Sequence, residues 1–257
     1  MKKGQRSWTR EELLLVMNMY CKLPFGRLHS RNPEIIHFSE LIDRTPGAVA
    51  YKLVNFASLD PAQRARGIKG ASNVSKMDKA VWNEFSDNWD ELPFESETLR
   101  ASFNRTTVEK INMIDESDLP KEGRERERIV KARVNQAFFR SMILATYDNT
   151  CCITGLQMSS LLVAGHIKPW SQDEKNRMNP RNGIALNSLH DKAFEEGLLT
   201  ITPDYTVRIS SSLKREKKNP AIQEYFLKYD SQKIKLPQRF LPAEEFFVYH
   251  NRERFVA

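Results

Sequence analysis

Residues 161–171, LLVAGHIKPWS, set the tightest limit on what this chain can fold into. The run is apolar, carries one imidazole at His166, and stops at Pro169, which cannot continue a central strand. Past a polar loop, GIAL (183–186) is a second short apolar run, and NSLHDKAFEEG (187–197) follows with a helical signature. Asn187 or Ser188 can cap that helix, Asp191 stands three residues after Ser188 as in a capping box, and Gly197 is a stop. The order is strand, loop, strand, helix. It puts His166 on the first strand, Asn182 at the end of the loop and His190 on the helix. A histidine on an apolar strand is ordinarily a core residue bonded to a backbone carbonyl, so the case for chemistry rests on its company.

The 257 residues are 40% hydrophobic with 14 Phe, enough for one large core or two small ones. No apolar run approaches the ~18 residues of a membrane span, and MKKGQRSWTR lacks the apolar segment of a signal peptide. Three cysteines, two of them adjacent, cannot build a disulfide framework. These features predict a cytoplasmic protein with no membrane partner. The net charge of +7 permits a polyanionic partner. It is unevenly spread: +4 over residues 1–90, −3 over 91–130 and +6 over 131–257. Two basic blocks around an acidic middle suggest two nucleic-acid-facing modules and a connector.

In the first block, SWTREELLLVMNMYCKL predicts a helix capped by Ser7 or Thr9 and broken at Pro24–Gly26. A second helix is expected near NPEIIHFSELI, with Asn32 as cap and Pro33 at its first position. A third runs from Pro46 to Phe56 after the cap Thr45. Arg64, Arg66, Lys69 and Lys76, set among Gly and Ser, suit phosphate contacts from a loop. Trp82, Phe85 and Trp89 recur at helical spacing and are expected in the core. The three-helix pattern resembles the helix-turn-helix of Myb-like and homeodomain-like proteins. That resemblance implies that the third helix enters a DNA groove, with Tyr51, Lys52 and Asn55 as candidate contacts. The bland alternative is a small helical domain with Lys52 as a solvated charge.

The middle segment breaks at Pro120, and the alternating charges of Glu122 to Arg128 predict a solvated helix face. From Ile129 the apolar spacing predicts a helix that packs on the C-terminal elements. The expected layout is α+β: a helical, helix-turn-helix-like domain over 1–92, a charged connector over 93–128, and a catalytic domain over 129–257.

The words RVNQAFFRSMILATYDNTCCITG, AGHIKPW, NPRNGIALNSLHDKAFEEGLLTI and IKLPQRFLPAEEFFVYHNRERF resemble the HNH nucleases of bacterial restriction-type systems, over about 131–257. That family is built on the ββα-metal fold. The resemblance implies a metal-dependent endonuclease acting on double-stranded DNA, as a monomer or a homodimer. His166 would be the general base, Asn182 would orient the site, and His190 would be a metal ligand joined by Asp191. Lys168, Arg177 and Arg181 would hold flanking phosphates, and one divalent ion, Mg2+ or Mn2+, would serve as cofactor. A neutral imidazole suits proton removal from water near pH 7.

Two departures stand out. Many HNH domains bind a structural zinc through two C-x-x-C pairs. Here Cys151 is followed by Thr154, and Leu186 and Leu189 stand where the second pair is expected, so no structural zinc is predicted and the leucines should fill the space. Cys151 and Cys152 are expected as buried thiols. Many HNH enzymes also carry an Asp or His metal ligand just before the base, where this chain has Gly165. That gap leaves open a DNA-binding regulator whose nuclease fold is inactive. A third class, an RNA-cutting toxin, shares the fold. His250 is expected to pack rather than catalyse.

Overall fold

The computed structural model describes residues 6–67 and 74–257. They divide into two compact units, Met1–Met142 and Ile143–Ala257.

In the first unit, α1 (Arg10–Lys22), α2 (Pro33–Leu41) and α3 (Pro46–Leu59) begin where the sequence signals them. Thr9, not Ser7, caps α1 in a capping box with Glu12, while Asn32 and Thr45 cap the others ahead of a first-turn proline. α4 (Pro61–Ala65), α5 (Lys76–Asp87), α6 (Leu92–Phe103) and α7 (Val108–Ile111) follow. Leu13 through Met17 are all buried on α1, because α3, α5 and α6 each pack on it and no side of its middle faces water. The rings of Tyr20, Phe56 and Trp82 meet at 6.0–6.5 Å, and Phe85 is fully buried, so this part of the aromatic stripe is core.

α3 corrects the expectation for its polar residues. Lys52 and Asn55 do not face outward: both are buried, and both bind the carboxylate of Asp78. Lys52 Nζ lies 2.7 Å from Asp78 Oδ1, and Asn55 Nδ2 donates to Asp78 Oδ2 at 2.9 Å. The physical reason is that Asp78, capping-box partner of Ser75 at the start of α5, is itself fully buried and needs donors. Tyr51 is exposed, as are Gly47 and Val54 on the same face. Of the basic residues assigned to a phosphate loop, Lys69 lies outside the described residues. Arg64 and Arg66 sit at the end of α4, and Lys76 opens α5.

Residues 93–128 are not a solvated connector. Ser96 and Glu97 on α6 are buried and accept hydrogen bonds from Asn18 of α1, at 2.6 and 2.7 Å. α8 (Arg124–Thr146) starts ahead of the predicted Ile129. Its Val130 and Val134 form a buried cluster with Leu119, against which Phe94 and Val108 pack. Phe138 stacks on Phe85 at 6.4 Å. The stripe Val130, Val134, Phe138 thus faces the helical unit, and the division at Met142 falls inside α8. Charge alternation hid this: Arg126 is held by Glu109 and Glu116, at 2.9 and 2.8 Å.

In the second unit, β1 (Leu162–His166) pairs antiparallel with β2 (Gly183–Asn187), setting His166 opposite Gly183 and Gly165 opposite Ile184. α9 (Ser188–Glu195) packs on both strands. This is the strand, loop, strand, helix order expected. The chain then adds elements that the short apolar runs did not announce: the hairpin β3 (Leu199–Ile201) and β4 (Val207–Ile209), α10 (Ser211–Arg215), α11 (Pro220–Tyr225) and α12 (Glu244–Glu253). Gly197 ends α9 at φ +68°, and a Cβ there would stand 2.0 Å from the Arg254 carbonyl oxygen. Val256 N–H donates to the Gly197 carbonyl at 3.0 Å, so the glycine both stops the helix and lets the chain's end close on it. No described helix is long and apolar enough to cross a membrane.

Candidate active site

His166 ends β1 on the wall of a cleft of about 390 Å3, which Asp191, Glu195 and Arg254 also line. Its Nε2 lies 2.8 Å from the carbonyl oxygen of Arg177. A carbonyl can only accept, so Nε2 carries the proton and the neutral ring's lone pair is on Nδ1. Trp170 packs edge-on against the ring at 5.5 Å. Burial pushes the His166 pKa down, and the Arg177 carbonyl only partly opposes this. At neutral pH the ring is therefore in the form that can take a proton.

Asn182 is buried and does not reach the cleft. Its Oδ1 accepts from Lys168 N–H at 2.8 Å, and its Nδ2 donates to the carbonyls of Lys168 and Asn176, at 3.1 and 3.2 Å. One amide thus stitches both flanks of the loop between β1 and β2. That loop carries the Arg177 carbonyl that fixes His166. Asn182 is a positioning residue.

His190 is not where the sequence pattern suggested. It is buried and turned away from the cleft. Its Nε2 donates to the Tyr225 carbonyl at 2.6 Å, and its Nδ1 accepts from Asn187 Nδ2 at 3.0 Å. Phe226 and Tyr229 meet its ring edge-on at 5.5 and 5.4 Å. With both nitrogens engaged internally, it offers no lone pair to a cation beside His166. The reason lies in helical geometry: neighbours on a helix point about 100° apart. Asp191 faces the cleft, together with Phe194 and Glu195, so His190 cannot.

His190 instead completes a different group. Thr154 N–H donates to Cys151 Sγ at 3.5 Å, Asn187 N–H to the same sulfur at 3.3 Å, and Asn187 Nδ2 lies 3.4 Å from Thr154 Oγ1. Cys151, Thr154, Asn187 and His190 are therefore the positions that match two C-x-x-C pairs. The pairing with Leu186 and Leu189 is corrected by one residue: Leu186 is buried, but Leu189 is 49% exposed and fills no core space. Cys151 and Cys152 are both buried. Burial pushes the Cys151 thiol up, but hydrogen bonds from His190, Thr154 and nearby backbone N–H groups outweigh it and bring the pKa to about 7.

Gly165 and Asp191 meet in the cleft. A Cβ on Gly165 would stand 2.6 Å from Asp191 Oδ1, so the carboxylate occupies the space that a side chain at 165 would need. Burial, then the charge of Glu195 one turn later, raises the Asp191 pKa to about 6. Lys168 is paired with Asp173 at 3.0 Å and lies over the Tyr249 ring. Arg177 donates to the Trp170 carbonyl at 3.0 Å, and Arg181 to that of Leu241 at 3.3 Å. His250 also lines the cleft, but its ring stacks on Phe194 and its nitrogens bond Thr200 Oγ1 and the Phe194 carbonyl, at 2.8 and 3.1 Å. It packs.

The sequence-family profile described as HNH endonuclease matches residues 151–202, the stretch that holds β1, β2 and α9. The second unit contains an HNH domain. No curated protein matches the chain. HNH nucleases generally use a divalent ion. Among the described residues no three His, Cys, Asp or Glu side chains gather into a metal cage. The donors of the HNH domain nonetheless fit a hard divalent ion. Such ions take carboxylate oxygens, keep several waters and complete their shell with substrate phosphate. Asp191 and Glu195 supply the carboxylates on one wall of the cleft, with the His166 imidazole on the same cleft.

Proposed function

We propose that the chain is a metal-dependent DNA endonuclease of the restriction or phage-defence type, whose N-terminal helices select the target. The carrying observation is His166: a neutral imidazole with Nε2 fixed on the Arg177 carbonyl, on a cleft that also holds Asp191. In this reading His166 Nδ1 takes a proton from the attacking water, and the ring's new charge is shared with the Arg177 carbonyl at Nε2. Asn182 keeps the loop, and so the ring, in place. Asp191 holds a divalent ion, Mg2+ or Mn2+, which when bound neutralises charge on the pentacovalent phosphate and assists the departing 3′ oxygen. Lys168, Arg177 and Arg181 lie on the same loop or its ends and suit flanking phosphates.

The bare position at Gly165 was the ground for an inactive, DNA-binding regulator. A carboxylate standing over that position removes the ground. Target selection by the first unit rests on three capped helices, the exposed face of α3 with Tyr51, and the +4 charge of residues 1–90.

Incubation with plasmid DNA and Mg2+ or Mn2+ tests the reading, over plain, methylated and hydroxymethylated substrates. Cleavage of at least one is expected, with His166→Ala slower by roughly 10²–10⁴-fold and DNA binding retained. A wild-type protein that cuts none of them, or a His166→Ala protein that cuts at the wild-type rate, would sink it. Preference for RNA over DNA would point to the toxin class.

A further inference from the structure

We propose that the Asp191 carboxylate replaces, from the helix, the cation ligand that HNH relatives carry on the strand, with Glu195 as second oxygen donor and glycine at 165 required to admit it. The inference rests on the nuclease reading of the same cleft and names the groups that hold its ion.

Three observations converge. The first is steric: Asp191 Oδ1 lies where a residue at 165 would begin its side chain, so strand and helix cannot both place a group there. The second is the state of Asp191. Within the described residues its carboxylate makes no hydrogen bond or ion pair, although burial and Glu195 both raise the cost of its charge. A half-buried carboxylate without a donor is one that a cation would stabilise. The third is register. Asp191 and Glu195 are four apart on α9 and both line the cleft, and the nearest cation to Glu195 is Lys192 at 3.7 Å. Two carboxylates on one wall, with waters and a phosphate to complete the shell, are what a Mg2+-like ion takes.

The glycine acquires a definite role. What a Cβ at 165 would strike is the end of a rotatable side chain, not backbone. Gly165→Ala can therefore keep the fold by swinging the Asp191 carboxylate away, and loses the ion rather than the structure.

Calorimetric titration of the full-length chain with Mn2+, without DNA, tests this. Asp191→Ala and the near-isosteric Asp191→Asn are each expected to weaken Mn2+ binding by roughly 10–100-fold, and Glu195→Gln by several-fold. Gly165→Ala is expected to weaken it about as much as Asp191→Asn, at an unchanged melting temperature. Gly165→Asp placed in the Asp191→Ala background is expected to recover binding. Wild-type protein without saturable binding at millimolar Mn2+, Asp191 variants that bind normally, or failure of that recovery would each overturn the proposal. Plasmid cleavage scored in parallel separates it from the reading it rests on. Normal ion binding through Asp191 without cleavage removes the nuclease and leaves the site. Cleavage with Asp191-independent Mn2+ binding does the reverse.

Discussion

A ring stacked 3.6 Å from Phe194 and cut off from water cannot easily take a proton, and burial lowers the His250 pKa to about 4. The unfolded chain protonates this group near pH 6.5, its ordinary value. Stability from a neutral His250 is therefore complete above that pH and is lost as pH falls from about 6.5 towards 4, amounting to about 2 kcal/mol at pH 5. His250→Gln can keep partners at Thr200 and Phe194 without titrating. Its urea midpoint should fall less between neutral pH and pH 5 than that of the wild type; equal falls would show that His250 is not the source. Lys52 is a second residue whose setting decides its role. With Asp78 wholly buried opposite it, Lys52→Ala leaves an unpaired charge and should cost about 3–5 kcal/mol in urea unfolding. A Lys52→Ala protein that kept its stability but bound DNA more weakly would return Lys52 to the groove.

Among the elements, the turn at Cys151 and the start of α9 are joined by hydrogen bonds where a zinc could join them. Thr154→Cys together with Asn187→Cys would set three thiols around His190 Nδ1, a Cys₃His donor set. That double variant is expected to bind one zinc per chain, by metal analysis after dialysis, and to melt higher with it than after chelation; a metal-free double variant would show that the four positions do not converge. The same elements show what could be read from the sequence. Caps and first-turn prolines placed α1, α2, α3 and α9 almost to the residue, because the signals are local. Direction was not legible. His190 and Asp191 differ by one step on a helix, and only the packing of α9 on β1 and β2 decides which one meets His166. Lys52 looked like a surface charge because its partner lies 26 residues away in another helix. The fold of the second unit could be read through its β1, β2 and α9, and its base by chemistry. The ligand wall could not, because it depends on a contact between Gly165 and Asp191.

At the scale of the whole molecule, the charge map misled about where one unit ends. The acidic middle supplies α6 and the first turns of α8, whose buried side chains cover α1 and its neighbours. A chain of residues 1–142 is expected to unfold cooperatively in urea, whereas 1–92 should be aggregated or molten, since it exposes the faces that α6 and α8 bury. A cooperative, monomeric 1–92 would restore the connector. The second unit makes the matching point about the match to residues 151–202. Its cleft is walled by Arg254 and His250 as well as by His166, and its helix stop is clamped by backbone at 254 and 256. An engineer who transplanted the matched stretch into another protein would carry over the proton acceptor and leave behind half of the vessel in which it works. The motif is a label for this machine, and it is not a spare part.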